Sequence, residues 1–240
     1  DLRNRVSLEE IPIGAGTLPE KIAFVNQNSA YVSCNGTDEV RVVDLAMRRV
    51  AKAIPVGSAP WGVVLLSGKA YVANSAAVWD AVAQQMNYGD STITVIDTQT
   101  DAILKTIPVP LNATDVTTDG ESRVLVLSTG DFGLTLGSLV VINGDSDEIE
   151  KTVKLRVTPS PTPLVDSRGR VYIGSSGGML VYDLISGKFI HDRNDVLEEF
   201  GGGFGMAIDP RDNVHVTIPD WSGAKRRVPA LISNSLITPE

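Results

Sequence analysis

The sequence predicts an all-β fold, a β-propeller of four-stranded antiparallel blades, probed by three features: a strand-like segment that recurs five times, companion segments that recur around it in a fixed order, and no helical periodicity of any length between them. The recurring segment reads Ser29-Ala30-Tyr31-Val32-Ser33, then Lys69 to Asn74, Arg123 to Leu127, Arg170 to Gly174 and Asn213 to Thr217. Equivalent positions are 31, 71, 125, 172 and 215, at intervals of 40, 54, 47 and 43. Intervals that vary while the segment does not imply loop insertion into a constant element.

Taken in chain order, each unit opens 11 or 12 residues before that position, at Pro19, Pro60, Ala113, Pro161 and Phe204. The short apolar strand that begins there closes with turn chemistry in Ser67-Gly68, Asp119-Gly120, Arg168-Gly169 and Asp209-Pro210. The recurring segment is the second strand. The third is a β-branched run ending in a turn residue: Val40–Asp44, Ile93–Asp97, Leu139–Asn143 and Met179–Asp183. The fourth runs from Val50 through Ile54-Pro55-Val56-Gly57 and from Ile103 through Ile107-Pro108-Val109-Pro110, where a proline lacking its N–H fits only a sheet edge. Such a sheet alone exposes both faces, so its stability comes from packing blade on blade.

The two ends complement each other. Residues 1–14 contain Arg5-Val6-Ser7-Leu8 and Ile11-Pro12-Ile13-Gly14, a copy of the outer strand with no inner strands before it. The last unit has inner strands and a third strand at Val228–Ile232 but no outer one. One domain over 1–240 is therefore expected, with blades at 15–57, 58–110, 111–157, 158–200 and 201–240, the fifth completed by 1–14. A slice of a longer propeller is the alternative.

Tyr71-Val72-Ala73-Asn74, Ile93-Thr94-Val95-Ile96-Asp97-Thr98-Gln99-Thr100 and Thr106-Ile107-Pro108-Val109 resemble the YVTN-type β-propeller repeat family. The resemblance covers about Arg5 to Asp220 and fades in the third and fifth units, where Leu125 and His215 stand in the tyrosine slot. It implies a propeller and a secreted, periplasmic or cell-surface setting. It carries over no catalytic residue, because its motif residues build strands and turns.

Charge and composition narrow the function. With 21 Lys+Arg against 29 Asp+Glu, a net charge of −8, the chain lacks the basic stripe that nucleic-acid binding needs. Its longest apolar runs, such as Val63-Val64-Leu65-Leu66, fall far short of the roughly 20 residues of a spanning helix, so no membrane insertion is expected. The single Cys34 and two histidines exclude a Cys/His zinc site of usual stoichiometry, and no cofactor, metal ligand or catalytic residue is nominated.

The candidate site lies in the insertions between second and third strands, Ser75–Asp90 and Thr129–Leu134, which share one rim with the starts of the innermost strands. The segment Val78–Met86 is expected to form a helical turn. Trp61, Trp79, Asp80, Gln84, Tyr88, Asp131 and Phe132 are the expected ligand or partner residues. His215 is expected as a core or inter-blade residue, His191 as a solvated one, and Asn143-Gly144-Asp145-Ser146-Asp147-Glu148 as a solvated hairpin turn rather than a calcium loop. The expected function is non-enzymatic binding of a protein or cell-surface polymer. The alternatives are a propeller enzyme, lactonase-like or an oxidoreductase subunit, with its site at the channel mouth, and a purely structural module.

Overall fold

The computed structural model describes residues 10–160, 162–197, 205–218 and 228–232. Strands β1 (Pro19–Asn26), β2 (Ser29–Cys34), β3 (Glu39–Asp44) and β4 (Arg49–Pro55) form the first antiparallel sheet, in that order. The second is made of β5 (Pro60–Leu66), β6 (Lys69–Asn74) and, after a separate two-stranded sheet of β7 (Ala77–Asp80) and β8 (Gln85–Tyr88), β9 (Thr92–Asp97) and β10 (Ile103–Pro108). The third is β11 (Ala113–Thr118), β12 (Arg123–Ser128), β13 (Ser138–Asn143) and β14 (Glu148–Lys154). The fourth is β15 (Leu164–Val165), β16 (Arg170–Ser175), β17 (Gly178–Asp183) and β18 (Lys188–His191). A three-stranded sheet of β19 (Gly205–Ile208), β20 (Val214–Ile218) and β21 (Val228–Ile232) follows.

The repeat is visible in the pairing itself. Positions 31, 71, 125 and 172 lie opposite Val42, Val95, Val141 and Val181 on the third strands, and His215 lies opposite Leu231. Since a slip of one residue would turn every side chain to the other face, a shared register means a shared division of faces. Ser67 and Gly68, with φ of 51° and 77°, form the two-residue turn that matches the twist of β5 and β6. Pro55 and Pro108 end the outermost strands, where no further strand asks for an N–H. The segments Arg5–Leu8, Gly201–Gly203 and Lys225–Arg227, with Pro161, Phe204 and Trp221, lie outside the described residues.

Val78–Met86 is a hairpin, not the helical turn expected of it. Val78 pairs with Asn87 and Trp79 with Met86, while Asp80 Oδ1 accepts the N–H groups of Val82 and Ala83 at 2.9 Å each. Gln84 takes a left-handed φ of 52° to close the turn. An aspartate that caps a turn, followed by a left-handed residue, outweighs the helix propensity of the alanines and glutamines between.

The core lies between sheets. Tyr31, Val40, Val42 and Ile54 of the first sheet pack against Val63, Ala70, Val72 and Ile96 of the second. Tyr71, Ile93, Val95 and Ile107 then face Ala113, Val124, Val126 and Ile142 of the third, and Leu125, Leu127 and Leu139 face Val171, Ile173 and Leu180 of the fourth. Tyr172, Met179 and Val181 meet Val214 and Val216. Each of the first four sheets thus presents its Tyr31-type face forward to the next sheet. On the backward face of the first sheet, Val32, Cys34 and Val43 are packed by Ile11 and Ile13.

The tyrosine slot also carries the polar link between sheets. Tyr31 donates its hydroxyl to Asp101, and Tyr71 to Asp147 Oδ1 at 2.6 Å and to the Gly144 carbonyl at 3.0 Å. Both aspartates sit in the hairpin between third and fourth strands of the following sheet, in left-handed conformation at φ of 57° and 56°. The Asn143–Glu148 turn is therefore not simply solvated: Asp147 is buried, and Lys69 Nζ bonds its Oδ2 at 2.7 Å. Where the slot holds Leu125, which has no hydroxyl, the corresponding left-handed residue is Gly187. Tyr71→Phe is expected to cost about 2 kcal/mol in urea unfolding, the range for a hydrogen bond to a charged group. Tyr182→Phe is the control: its buried hydroxyl has no hydrogen-bond partner among the described residues, so its removal should cost nothing measurable.

Candidate functional site

A repeated clamp brings the insertion loops to the starts of the innermost strands. Asn35 N–H donates to Leu18 O at 3.0 Å and Gly36 N–H to Thr17 O at 2.9 Å. Ser75 and Ala76 donate in the same way to Ala59 and Ser58, and Thr129 and Gly130 to Asn112 and Leu111. The accepting chain turns at Leu18, Ala59 and Asn112, each with positive φ (46°, 50° and 61°). The end of each second strand is thereby fixed beside the start of the first, and whatever is inserted after it projects from one rim.

Between the β7–β8 hairpin and the 129–137 loop lies a cavity of about 470 Å³, lined by Trp61, Ala77, Trp79, Met86, Tyr88, Phe132 and Pro159 together with Asn35, Asn112, Thr114 and Thr129. None of these side chains is charged. Asn112 is anchored, its Nδ2 donating to Thr129 Oγ1 at 2.8 Å and to Gly130 O at 3.0 Å. Asn35 and Thr114 also line the cavity, and their Nδ2 and Oγ1 atoms are turned into the protein, buried and without a hydrogen-bond partner among the described residues.

Of the residues expected at the site, Trp61, Trp79, Tyr88 and Phe132 line this cavity, and Asp80, Gln84 and Asp131 do not. The two aspartates shape the loops instead. Amide N–H groups of Ala83 and Val82 hold the Asp80 carboxyl below the usual carboxylate range, and those of Thr135 and Gly133 do the same for Asp131. Both stay ionised at neutral pH. Gln84 is at the exposed tip of the hairpin. Asn35, Thr114, Thr129, Met86 and Pro159 were not among the expected residues. Asn35 and Thr129 both follow a second strand, and Thr114 matches Trp61 as second residue of an innermost strand, so the repeat alignment places them on this rim.

Beside Thr114, a polar tie joins three innermost segments. Asp115 Oδ2 accepts from Thr162 Oγ1 at 2.6 Å and from Lys21 Nζ at 3.4 Å, while Asp115 Oδ1 accepts from Val116 N–H at 2.9 Å. The Ser33 hydroxyl bonds the Trp61 carbonyl, fixing the backbone that carries that indole. The histidines stand elsewhere, each held by an aspartate. His191 Nδ1 lies 3.0 Å from Asp195 Oδ1, and His215 Nε2 lies 3.3 Å from Asp209 Oδ2. His215 is half exposed and not a core residue. It repeats the bond that Tyr172 makes to Asp166 Oδ2 at 3.0 Å, six residues back in both cases. No group of three or more His, Cys, Asp or Glu side chains able to hold a metal occurs among the described residues.

No protein-family model matches the chain, and no curated protein matches it in sequence. Its structure is similar to the β-propeller domain of Cps50 (Swd1) from Myceliophteria thermophila, with a TM-score of 0.63 and 10% identity over 93% of this chain and 74% of that one. It is similar also to virginiamycin B lyase from Staphylococcus aureus, with a TM-score of 0.62 and 13% identity over 85% of this chain and 64% of the lyase. This chain thus spans less than two thirds of the lyase's length. These likenesses define the fold class: the protein is a β-propeller, built of four-stranded antiparallel sheets. Function does not follow from that class, which holds both of those proteins, and is argued from the site.

Proposed function

We propose that this protein is a non-enzymatic binding propeller of the YVTN type that recognises a protein or cell-surface polymer, outside the cytoplasm, through the rim bearing the β7–β8 hairpin. The observation that carries the reading is the uncharged cavity of about 470 Å³ whose walls are Trp61, Trp79, Tyr88 and Phe132. Aromatic side chains combine large contact area with few rotatable bonds, and a concave apolar site on a rigid scaffold is the usual form of a binding pocket. The scaffold in this reading is a ring of five blades. The packing of Ile11 and Ile13 on the first sheet supports closure by the N-terminal strand, since Ile54 and Val56 of the first sheet pack on the second in the same manner.

The test exploits the clamp. Gly89 N–H bonds Ala76 O at 2.8 Å, so residues 77–88 can be replaced by an Asn-Gly turn with the clamp left in place. The intact protein, immobilised and challenged with the solubilised envelope fraction of its host, is expected to retain a protein or polymer. The shortened variant and Trp61→Ala are expected to lose it while melting within about 3 °C of the parent. Retention that survives both changes overturns the reading.

A further inference from the structure

The two loops that flank the cavity differ in composition from the rest of the chain. Residues 75–90 and 129–137 carry three charges, Asp80, Asp90 and Asp131, and no Lys, Arg or Glu. They also hold a collar of exposed apolar side chains: Val82 is 96% and Leu134 99% exposed, with Val78, Trp79, Phe132 and Leu136 beside them in sequence. A collar of this kind around a pocket is larger than a ligand confined to the cavity would cover, and it marks an interface with a macromolecule. Its charge is of one sign.

The cavity specifies the anchor. With no charged side chain on its lining among the described residues, it would leave an inserted ammonium or carboxylate without a counter-ion, which costs far more than the contact returns. An apolar side chain of Leu or Phe size suits the walls of Trp61, Tyr88 and Phe132.

Resting on the rim reading above, we propose that the partner is a polypeptide segment that inserts one uncharged apolar side chain into this cavity and flanks it with Lys or Arg facing Asp80, Asp90 and Asp131. A sugar polymer is a poorer match, because the lining is mostly apolar and gives few hydrogen bonds. An anionic membrane surface is repelled by the same three aspartates that attract a basic segment.

The full-length protein is titrated into dye-labelled, end-capped peptides of about ten residues, followed by anisotropy. One set has a central Phe or Leu flanked by Lys, a second the same centre flanked by Glu, a third Ala flanked by Lys. The first set is expected to bind about tenfold or more tighter than either other, and to weaken several-fold between about 50 and about 300 mM salt. Trp79→Ala is expected to lose that binding without unfolding, since Trp79 is 57% exposed, and Asp90→Lys to weaken only the Lys-flanked peptides. Equal binding of Lys- and Glu-flanked peptides, or binding only of phosphatidylglycerol vesicles or a small apolar dye, overturns this proposal and leaves the rim reading in force. No peptide bound also overturns it; the rim reading falls too only if hairpin-dependent capture from the envelope fails as well.

Discussion

Asp166→Ala is expected to destabilise the protein by about 3–5 kcal/mol, lowering the melting temperature by roughly 6–20 °C, because it removes one partner of a buried ion pair. Asp166 is the most committed carboxylate among the described residues. Its side chain is 0% and that of Arg170 6% exposed, with Arg170 Nε 2.6 Å from Oδ2. The Tyr172 hydroxyl donates to the same oxygen, while Oδ1 accepts the N–H groups of Arg168 at 3.0 Å and Arg170 at 2.8 Å. Alanine would strip the β15–β16 turn of its cap and leave the Arg170 guanidinium buried without this carboxylate. Asp119 provides the comparison in the equivalent turn of the third sheet. There Oδ1 accepts three backbone N–H groups against two for Asp166, but Arg123 is 36% exposed and 3.9 Å away. Asp119→Ala should therefore cost only about 1–2 kcal/mol, the value of the turn bonds. Urea unfolding of the two variants decides the matter. Equal losses would mean that the turn, and not the buried charge pair, carries the stability.

That contrast also shows which parts of the molecule were legible in the sequence. Asp119-Gly120, Arg168-Gly169 and Asp209-Pro210 can all be read as turns, and in each of them an aspartate, Asp119, Asp166 or Asp209, accepts the turn N–H groups. The shared register of positions 31, 71, 125 and 172 was likewise readable, because alternating apolar residues and turn chemistry are local signals repeated in every unit. What could not be read is how deeply each aspartate is buried, since burial depends on the sheet packed next to it. Asp147 looks like any aspartate in a polar hairpin until Tyr71 of the preceding sheet reaches it. The β7–β8 hairpin was misread for a related reason. Ala81, Ala83, Gln84 and Gln85 favour helix locally, while the clamp at Ser75 and Ala76 and the Asp80 cap enforce a strand pair. At the rim the aromatic residues stood out by type. Asn35 and Thr114 did not, because nothing in a small polar residue's type marks it as part of a cavity wall until the neighbouring sheets are in place.

Gly130→Ala is expected to weaken binding at the rim by about tenfold or more while leaving most of the fold in place. Gly130 has φ of +76°, and a Cβ there would lie 1.9 Å from the Thr135 carbonyl oxygen, a backbone atom that can move only if the loop does. The loop is closed by that same carbonyl, which accepts the Asp131 N–H at 3.1 Å, and by Asp131 Oδ1, which accepts from Gly133 and Thr135. Phe132 rides on this arrangement in a left-handed conformation, φ 59°, with its ring on the cavity wall. A methyl group at 130 forces the turn open and carries Phe132 away, while the strands on either side keep their ladders. Stability should fall by about 1–3 kcal/mol, the usual cost of overpacking and backbone strain, whereas affinity for a rim partner should fall by about tenfold or more. Gly120→Ala separates strain from site. With φ of +80° and nothing within 4 Å of its Cβ, it bears the same backbone penalty in the β11–β12 turn, at the opposite end of β12 from the 129–137 loop. It should lose about 1 kcal/mol and no binding. If both variants bind alike, the 129–137 loop is not part of the recognition surface, and the site reduces to Trp61 and the hairpin; if only Gly130→Ala fails, the placement of Phe132 by that turn is what the partner reads.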